Sequence, residues 1–386
     1  MKKLAIIITH PIQYYIPVFQ LLAKKCELKV FYTWGEDGAN AKYDPDFKQT
    51  IVWDVPLLEG YNYEFLTNIA KDPGSHHYIG IDNPDLKAVI SRFSPDAILI
   101  YGWAYKSHLS TMRYFKGKIP LWFRGDSTLI DEKRSFKDIA RTLFLKWVYK
   151  NIDKAFYVGS ANKAYFEKFG LKPGQLKFAP HAIDNDRFVM DRFDETQTLR
   201  NKLGIVDGEI LVLFAGKLER KKSPDLLSQA FLELNTNDVH LLFVGNGELE
   251  EQLKALALRQ AQGDNKIHFI DFQNQTQMPL IYQACNLFVL PSQGPGETWG
   301  LAVNEAMAAG RAVLVSDKVG CASDLVYRGQ NGDIFRSNDL NDLKSKLSKL
   351  LSDPSKLEQM GIKSKHIISD WNIDKQVRIF LKTLND

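Results

Sequence analysis

Short, continuous apolar runs recur along the chain, and each is followed by a polar or glycine-containing turn and then by a helical pattern. Continuous rather than alternating hydrophobicity is typical of strands buried on both faces, as in parallel sheets covered by helices. The runs lie at 4–8, 28–32, 96–101, 120–123 and 154–158, and then at 210–216, 239–245, 267–271, 286–291 and 312–316. Two successive β/α series predict an α/β protein with two doubly wound domains side by side.

The length of 386 residues also favours two domains, because it exceeds what one hydrophobic core usually spans. The boundary is predicted near 186–208, a charged stretch without a strand pattern. We assign 1–190 to an N-terminal domain and 191–370 to a C-terminal domain. Residues 371–386 contain a last helix, expected to pack back on the N-terminal domain.

Composition excludes several classes of protein. Hydrophobic content of 45% and charged content of 25% are ordinary for a globular protein. Cys26, Cys285 and Cys321 form no CxxC pair, so neither a disulfide framework nor a zinc ribbon is supported, and a reducing cytosol fits. Residues 4–8 fit a buried strand better than a signal peptide, and no apolar stretch reaches bilayer length. The net charge of +4 is mild, and no nucleic-acid-binding signature is present.

Ligands of open α/β sheets bind at the carboxyl ends of the strands, so the residues after each strand are the candidates for a binding site. The run at 210–216 is followed by KLERKK, in which Lys217 and Lys222 flank further cations. Clustered cations at a strand end suit a diphosphate. A solvated basic turn remains the alternative.

The run at 239–245 is followed by a GxG turn, Gly245 and Gly247, with Glu250 in the place of a third glycine of a dinucleotide fingerprint. This pattern allows close approach of a ligand to the backbone, although any strand-to-helix turn uses glycine. There is no Walker A sequence, so a P-loop nucleotide hydrolase is not predicted.

The run at 286–291 is followed by a Gly/Pro-rich loop and a helix predicted from Trp299 to Ala309. Backbone N–H groups at the start of that helix form a potential anion site. Glu297 precedes the helix and Glu305 lies on its second turn, so both are predicted to face one cleft and to bind sugar hydroxyls. Alternatively, Glu297 is a first-turn acid and Glu305 pairs with a nearby cation.

With these residues in view, the chain resembles the GT-B nucleotide-sugar glycosyltransferases, specifically retaining family four (glycosyl transferases group 1). The resemblance rests on Glu297-x7-Glu305 and on the segments AGKLERKKS, VGNGELEEQL, FVLPS, EAMAAGRAVLVSD and DLVYRGQNGDIF. Lys217 stands where arginine is usual, and in APHAIDNDRF His181 and Ala182 replace an Asn-Gly pair.

The resemblance implies a fold of two Rossmann-like domains with a cleft between them, and a role for each matched residue. Lys217 and Lys222 would bind the donor diphosphate, Glu305 the ribose and Glu297 the transferred sugar. Backbone amides would assist the phosphates, and they belong to Thr298, Trp299, Gly300 and Leu301. The base would lie near Gly245, Gly247, Asp271 and Phe272. The resemblance also implies that no metal is needed, since cations and helix dipoles would stabilise the departing diphosphate.

The N-terminal half matches far less well, as expected if it holds the acceptor. Many family members carry a histidine after the strand corresponding to 120–123, but this chain has Arg124-Gly125-Asp126. Arg124 is predicted to stabilise charge and Asp126 to orient an acceptor hydroxyl, or the two form a structural pair. His10 and Gln13 follow the first strand, at the place where the glycine-rich loop of family members faces the donor and the acceptor. Alternatively, His10, which precedes a proline, simply caps a turn.

Other histidines and acids are interpreted as structural. His76, His77 and His108 are expected to be ordinary loop or helix residues. The DxD patterns at 44–46 and 184–186 suggest the metal site of another transferase fold, but neither follows a suitable strand, so we reject a metal role.

A basic amphipathic helix is predicted at 133–150, with an apolar face comprising Phe136, Ile139, Leu143, Trp147 and Tyr149. Such a helix is able to lie on anionic lipid, although a domain helix with a solvated basic face has the same pattern.

The sequence thus predicts a metal-independent, cytoplasmic retaining glycosyltransferase, peripheral at the inner face of a membrane. Its partners would be a nucleotide-sugar donor and a glycan or lipid-linked acceptor in surface polysaccharide or glycolipid synthesis, and not nucleic acid. A nucleotide-sugar epimerase of the same fold and a non-catalytic nucleotide-sugar-binding protein remain alternatives.

Overall fold

The computed structural model describes residues 1–39, 42–44, 49–132, 136–260 and 266–386. The chain forms two compact units. Unit 1 comprises Met1–Ala41, Val55–His181 and Ile373–Asp386, and unit 2 comprises Lys42–Asp54 and Ala182–Asn372. The division after His181 falls nine residues before the boundary that we assigned from the sequence.

The strands, in chain order, are β1 (Lys3–Ile8), β2 (Glu27–Tyr32), β3 (Lys42–Asp44), β4 (Gln49–Ile51), β5 (Asn62–Phe65), β6 (Ala97–Tyr101), β7 (Leu121–Arg124), β8 (Lys154–Tyr157), β9 (Leu176–Phe178), β10 (Ile210–Ala215), β11 (Val239–Val244), β12 (Ile267–Ile270), β13 (Leu287–Leu290), β14 (Ala312–Ser316) and β15 (Gly332–Phe335). The helices are α1 (Ile16–Ala23), α2 (Leu86–Phe93), α3 (Lys106–Phe115), α4 (Phe136–Tyr149), α5 (Ser160–Lys168), α6 (Asn185–Val189), α7 (Phe193–Lys202), α8 (Pro224–Leu234), α9 (Glu250–Gln260), α10 (Met278–Ala284), α11 (Leu301–Ala308), α12 (Ala322–Leu325), α13 (Leu340–Leu351), α14 (Pro354–Ile368) and α15 (Ile373–Asn385).

Each unit is built on a parallel sheet. Unit 1 has the order β5-β2-β1-β6-β7-β8-β9, and unit 2 has β12-β11-β10-β13-β14-β15. Both begin with the 3-2-1-4-5-6 order of doubly wound nucleotide-binding folds, in which the strand order reverses at a switch point. Every apolar run singled out in the sequence is a strand of one of these sheets, so the predicted α/β fold class is confirmed.

The sheet of unit 1 is covered on both faces, as continuous apolar strands require. Ala5 and Ile7 of β1 belong to one core cluster, whereas Leu4, Ile6 and Ile8 belong to the other. The second cluster includes the C-terminal helix α15, where the Phe380 ring meets the Phe156 ring edge-on at 4.6 Å. The last helix therefore packs within unit 1.

A segment from the N-terminal half of the chain clusters with unit 2. Asn274 donates a hydrogen bond to the carbonyl of Val52 (2.6 Å), and the Thr276 N–H donates to Asp54 (3.1 Å). The ring of Trp53 lies edge-on to Phe272 with centroids 6.2 Å apart. Sequence reasoning did not predict this association, because it joins residues 222 positions apart.

Candidate functional site

The switch point of the unit 2 sheet lies between β10 and β13, and two loops follow these strands. The Gln293 N–H donates to the carbonyl of Lys221 (2.8 Å), and the Gln293 side chain donates to that of Arg220 (2.6 Å). These bonds hold the basic loop after β10 against the loop after β13. The two predicted donor-binding loops thus meet at the place where doubly wound folds bind ligands.

An ion pair joins the two loops at this point. The Lys222 ammonium lies 2.7 Å from Glu297 Oε2, and the Ser292 hydroxyl donates to the same oxygen at 2.9 Å. Only 18% of the Lys222 side chain and 11% of the Glu297 side chain are exposed. Lys222 and Glu297 were predicted from the sequence, but Ser292 was not. Its position directly after the apolar run at 286–291 is the one sequence feature that could have indicated it.

The segment that carries Glu297 is fixed from the other side by the loop after β14. The Gly320 N–H donates to the carbonyl of Glu297 (3.0 Å), and the Cys321 N–H donates to that of Trp299 (2.9 Å). A Cβ at position 320 would collide with the carbonyl oxygen of Thr298. Glycine is therefore required for this close approach of two backbones.

The helix after this segment begins later than predicted. Helix α11 starts at Leu301, because Gly300 adopts a left-handed conformation (φ +92°, ψ +63°) that cannot continue a helix. The prediction of a start at Trp299 was therefore wrong, and Thr298 and Trp299 precede the first turn. The indole of Trp299 is buried, donates to Asn304 (2.9 Å) and packs on Trp371, so this side chain belongs to the core of unit 2.

The buried carboxylate of Glu305 has a partner within unit 2. The Tyr282 hydroxyl, from α10, donates to Glu305 Oε2 at 2.9 Å. Glu305 is only 4% exposed and lies on the second turn of α11, as predicted. Tyr282 was not predicted, because it lies in a helix without any strand-end motif.

The GxG turn after β11 is explained by packing of one loop on another. A Cβ at Gly245, where φ is +127°, would collide with the carbonyl of Gly216, and a Cβ at Gly247 would lie 2.7 Å from the nitrogen of Leu218. The close approach permitted by these glycines is therefore to the loop after β10. Half-buried Lys217 lies in that same loop.

The predicted base-binding segments are brought together by Asn246. Its amide donates to Asp271 (3.1 Å) and to Glu250 (3.1 Å), and its carbonyl oxygen accepts from the Phe272 N–H (2.8 Å). Sequence reasoning selected Asp271 and Phe272 but missed Asn246, although it stands at the centre of the GxG turn.

In unit 1, the residues predicted on the acceptor side follow β1 and β7. His10 Nδ1 lies 2.9 Å from the Thr9 hydroxyl, and its ring meets Trp34 edge-on at 5.4 Å. Gln13 is half-buried in the same segment. The structure gives His10 a defined orientation directly after the first strand.

Arg124 is buried, and its guanidinium donates to the carbonyls of Ala179 (2.9 Å) and Pro180 (3.0 Å). These bonds fix the chain after β9 at the edge of the unit 1 sheet. Burial raises the pKa of the Tyr15 phenol, and the negative charge of the nearby, half-buried Asp126 raises it further. Burial and the Arg124 charge lower the pKa of His181 to about 3, so this histidine stays neutral at physiological pH.

The side chains of His108 and Asp184 have structural contacts. His108 is fully buried, and its ring nitrogens lie 2.8 Å from the Thr33 hydroxyl and 2.8 Å from the Gly102 carbonyl. Asp184, in one DxD pattern, caps α6 by accepting from the Arg187 N–H. In the other pattern, residues 45–46 lie outside the described residues.

The predicted amphipathic helix corresponds to α4. Residues 133–135 and the side chain of Phe136 lie outside the part of the chain that the structure describes. Ile139 and Leu143 are exposed by 62% and 66%, and Phe144 and Trp147 by 43% each. The assignment of Tyr149 to this face was wrong, because its ring is buried against Phe123 and neighbouring aromatics. Among the described helices, none has the length and apolarity to span a bilayer.

Comparison with known proteins identifies a family model that matches the C-terminal part of the chain and curated relatives that match part of the chain. Residues 195–367 match the family model described as Glycosyl transferases group 1. The chain is 29% identical over 206 residues to D-inositol 3-phosphate glycosyltransferase of Nocardia farcinica, which covers 51% of this chain and 44% of the relative. It is 26% identical over 247 residues to the GDP-mannose-dependent alpha-(1-6)-phosphatidylinositol monomannoside mannosyltransferase of Mycolicibacterium smegmatis, covering 62% of each. The chain thus spans about half the length of these curated relatives.

A solved structure resembles the chain over its full length. The crystal structure of Anabaena HepE in complex with UDP has a TM-score of 0.75 and 19% sequence identity, and the match covers 100% of both chains. At this identity the likeness shows the fold, which is GT-B.

Proposed function

We propose that this chain, whose residues 195–367 match the family model described as Glycosyl transferases group 1 and whose fold is GT-B, transfers a sugar from a nucleoside-diphosphate sugar. The acceptor would be a glycan or a lipid-linked glycan, in surface polysaccharide or glycolipid synthesis. The observation that carries the proposal is the half-buried Lys222–Glu297 pair at the switch point of the unit 2 sheet. It combines a cation for phosphate with a carboxylate for sugar hydroxyls.

Lys222 and Lys217 are proposed to bind the donor diphosphate. An ammonium group has three donors, so Lys222 is able to keep its bond to Glu297 while donating to a phosphate oxygen. The N–H groups at the start of α11 would add further positive potential. These groups supply the charge that a metal ion provides in other transferases, and we therefore propose a metal-independent reaction.

Glu297 is proposed to contact the transferred hexose, Glu305 the ribose, and the Asn246–Asp271–Phe272 region the base. Two of the related proteins support this substrate class, because one is named as GDP-mannose-dependent and one was solved with UDP. We further propose retention of anomeric configuration. An acceptor oxygen would bond to the anomeric carbon while the bond between that carbon and the diphosphate oxygen breaks. The departing phosphate would take the proton of the acceptor hydroxyl.

On the acceptor side, we propose that His10, Gln13 and Asp126 contact the acceptor. Arg124 would act indirectly, by holding in place the chain segment whose carbonyls accept its hydrogen bonds.

The experiment that tests the overall proposal begins with a thermal-shift screen of UDP, GDP, ADP and their sugars. The nucleotide-sugar that stabilises the protein is then incubated with a lipid or glycan extract. A glycosylated acceptor supports transfer, whereas an epimerised donor or an unchanged donor would support the two alternatives.

Replacing Lys222 with alanine is expected to weaken binding of the selected nucleoside diphosphate by about 1.5 kcal/mol or more, roughly tenfold in affinity. The reason is the loss of a charge-assisted bond to phosphate. Calorimetry on the full chain measures the effect. Lys221→Ala is the matched control, because Lys221 is adjacent and exposed and pairs with Glu219 (3.3 Å). Equal affinities of the two variants would contradict the phosphate role.

We also propose that α4 touches a cytoplasmic membrane surface. Its exposed apolar side chains lie among cations, and Arg113 stacks over Trp147 at 5.2 Å. Each basic residue near an anionic surface contributes about 1 kcal/mol.

Exchanging Leu143 and Trp147 of α4 for aspartate is expected to reduce vesicle binding at least tenfold, because the apolar side chains would no longer enter the interface. Co-sedimentation with phosphatidylglycerol vesicles measures the bound fraction. Ile362→Asp is the control, since Ile362 is equally exposed on α14 of unit 2. Binding that is as strong to pure phosphatidylcholine, or unaffected by the double exchange, would refute this contact.

A further inference from the structure

The loop between β5 and α2 in unit 1 is tightly organised. Asn68 accepts hydrogen bonds from the N–H groups of Ala70 (3.2 Å) and Asp82 (2.8 Å) and donates to the carbonyl of Gly80 (2.9 Å). The Gly74 N–H also donates to the Gly80 carbonyl (3.1 Å). These bonds close the neck of the loop and fix the backbone of the residues between.

Three side chains of this loop converge on one point. Asp72 Oδ2 lies 3.1 Å from His77 Nε2 and 3.7 Å from His76 Nε2. The three candidate ligand atoms all lie within 4.8 Å of one another. Within the part of the chain that the structure describes, these three side chains have the spacing expected of a metal-binding group of His, Cys, Asp or Glu residues.

The two distances, 3.1 Å and 3.7 Å, each lie within about 0.2 Å of the edge lengths of a tetrahedral zinc site. Zn–N and Zn–O bonds of about 2.0–2.2 Å place neighbouring ligand atoms about 3.3–3.6 Å apart. A hydrogen bond explains only the shorter contact, because 3.7 Å to His76 lies beyond hydrogen-bonding range. Imidazole nitrogen and carboxylate oxygen are ligands that zinc accepts.

The position of the His76 ring depends on a glycine. A Cβ at Gly74 would lie 2.5 Å from His76 Nδ1, so any larger residue at position 74 would push the ring away. His76 and Asp72 are exposed and His77 is half-buried, which leaves the meeting point open to an ion from solvent.

We propose that Asp72, His76 and His77 bind one Zn²⁺ ion, with a fourth position open to water or an exchangeable ligand. The ion would cross-link the loop between β5 and α2. These residues belong to unit 1, whereas the proposed donor-binding residues belong to unit 2, and the zinc proposal does not rest on the transfer proposed above.

The test is calorimetric titration of ZnCl₂ into the tag-free full chain after chelator treatment. We expect one saturable zinc per chain and at least tenfold weaker binding in the His76→Ala/His77→Ala double variant. Cobalt substitution should give the visible bands of a tetrahedral ion, absent in the double variant.

Asp72→Asn should also weaken zinc binding, whereas His366→Ala, which removes an exposed histidine of unit 2, should bind as the native chain does. The native chain binding no zinc, the double variant binding equally well, or magnesium competing as effectively as zinc would each overturn the proposal. The three side chains are exposed or half-buried, so the variants should keep the native circular dichroism spectrum and unfolding midpoint in the absence of metal.

Discussion

Replacing Glu297 with glutamine is expected to lower sugar transfer by about 100- to 1000-fold, the loss typical of removing one transition-state contact. The amide keeps the shape of the carboxylate but loses its charge. Because Lys222 is then released from its ion pair, binding of the nucleoside diphosphate should be unchanged or tighter. Transfer and binding are therefore expected to respond differently to this one substitution.

The measurement is initial transfer rate at saturating donor, together with calorimetry of the nucleoside diphosphate. Glu358→Gln is the control, because Glu358 is an exposed glutamate of the same unit. If Glu297 only positioned Lys222, transfer and binding would fall together. Near-normal transfer by the glutamine variant would remove Glu297 from the proposed site.

The predicted strands and the missed ones differ in their place in the sheets. All the predicted runs except 267–271 form central strands, whose burial on both faces demands continuous apolar sequence. The missed strands β5, β9 and β15 lie at the edges of the two large sheets, and the missed strands β3 and β4 pair with each other in a two-stranded sheet. β5 (NYEF) and β9 (LKF) are partly exposed and carry polar residues, and β15 (GDIF) is largely buried but includes Gly332 and Asp333, so none of the three has a continuous apolar run.

The proposed donor site was predictable where it depends on strand ends. Lys222 and Glu297 follow strands that flank the switch point, so topology alone brings their loops together. The partners Ser292, Tyr282 and Asn246 were missed, because they depend on side-chain packing between elements. The GxG turn showed the same limit: the sequence indicated a close approach, but only the structure shows that the approaching group is the loop after β10.

Arg124 illustrates how the contacts of a strand-end residue can differ from those expected from its position in the sequence. Its place after a central strand suggested charge stabilisation, yet its guanidinium lies on the carbonyls of Ala179 and Pro180. A buried arginine that donates to backbone carbonyls has no recognisable spacing in the sequence, because the partner carbonyls carry no residue preference. The catalytic assignment of Arg124 therefore stays a prediction, and the observed bonds support an indirect role.

Replacing Gly320 with alanine is expected to lower the midpoint of thermal unfolding by about 6 °C or more, corresponding to an overpacking cost of about 3 kcal/mol. The new methyl group would collide with the Thr298 carbonyl, and the backbone bond from Gly320 to Glu297 leaves little room for either loop to retreat. Any retreat would displace Glu297 from Lys222.

Transfer by the Gly320→Ala variant should therefore fall at least tenfold even at temperatures where the protein is fully folded, since a displacement of about 1 Å can cost about 100-fold in rate. Calorimetric unfolding and transfer rates measure the two effects. Gly174→Ala is the matched control, because a Cβ at Gly174 would meet no atom within 4 Å. An alanine variant with native unfolding and native transfer would mean that the loop after β14 does not hold the loop that carries Glu297, and that the position of Glu297 does not depend on Gly320.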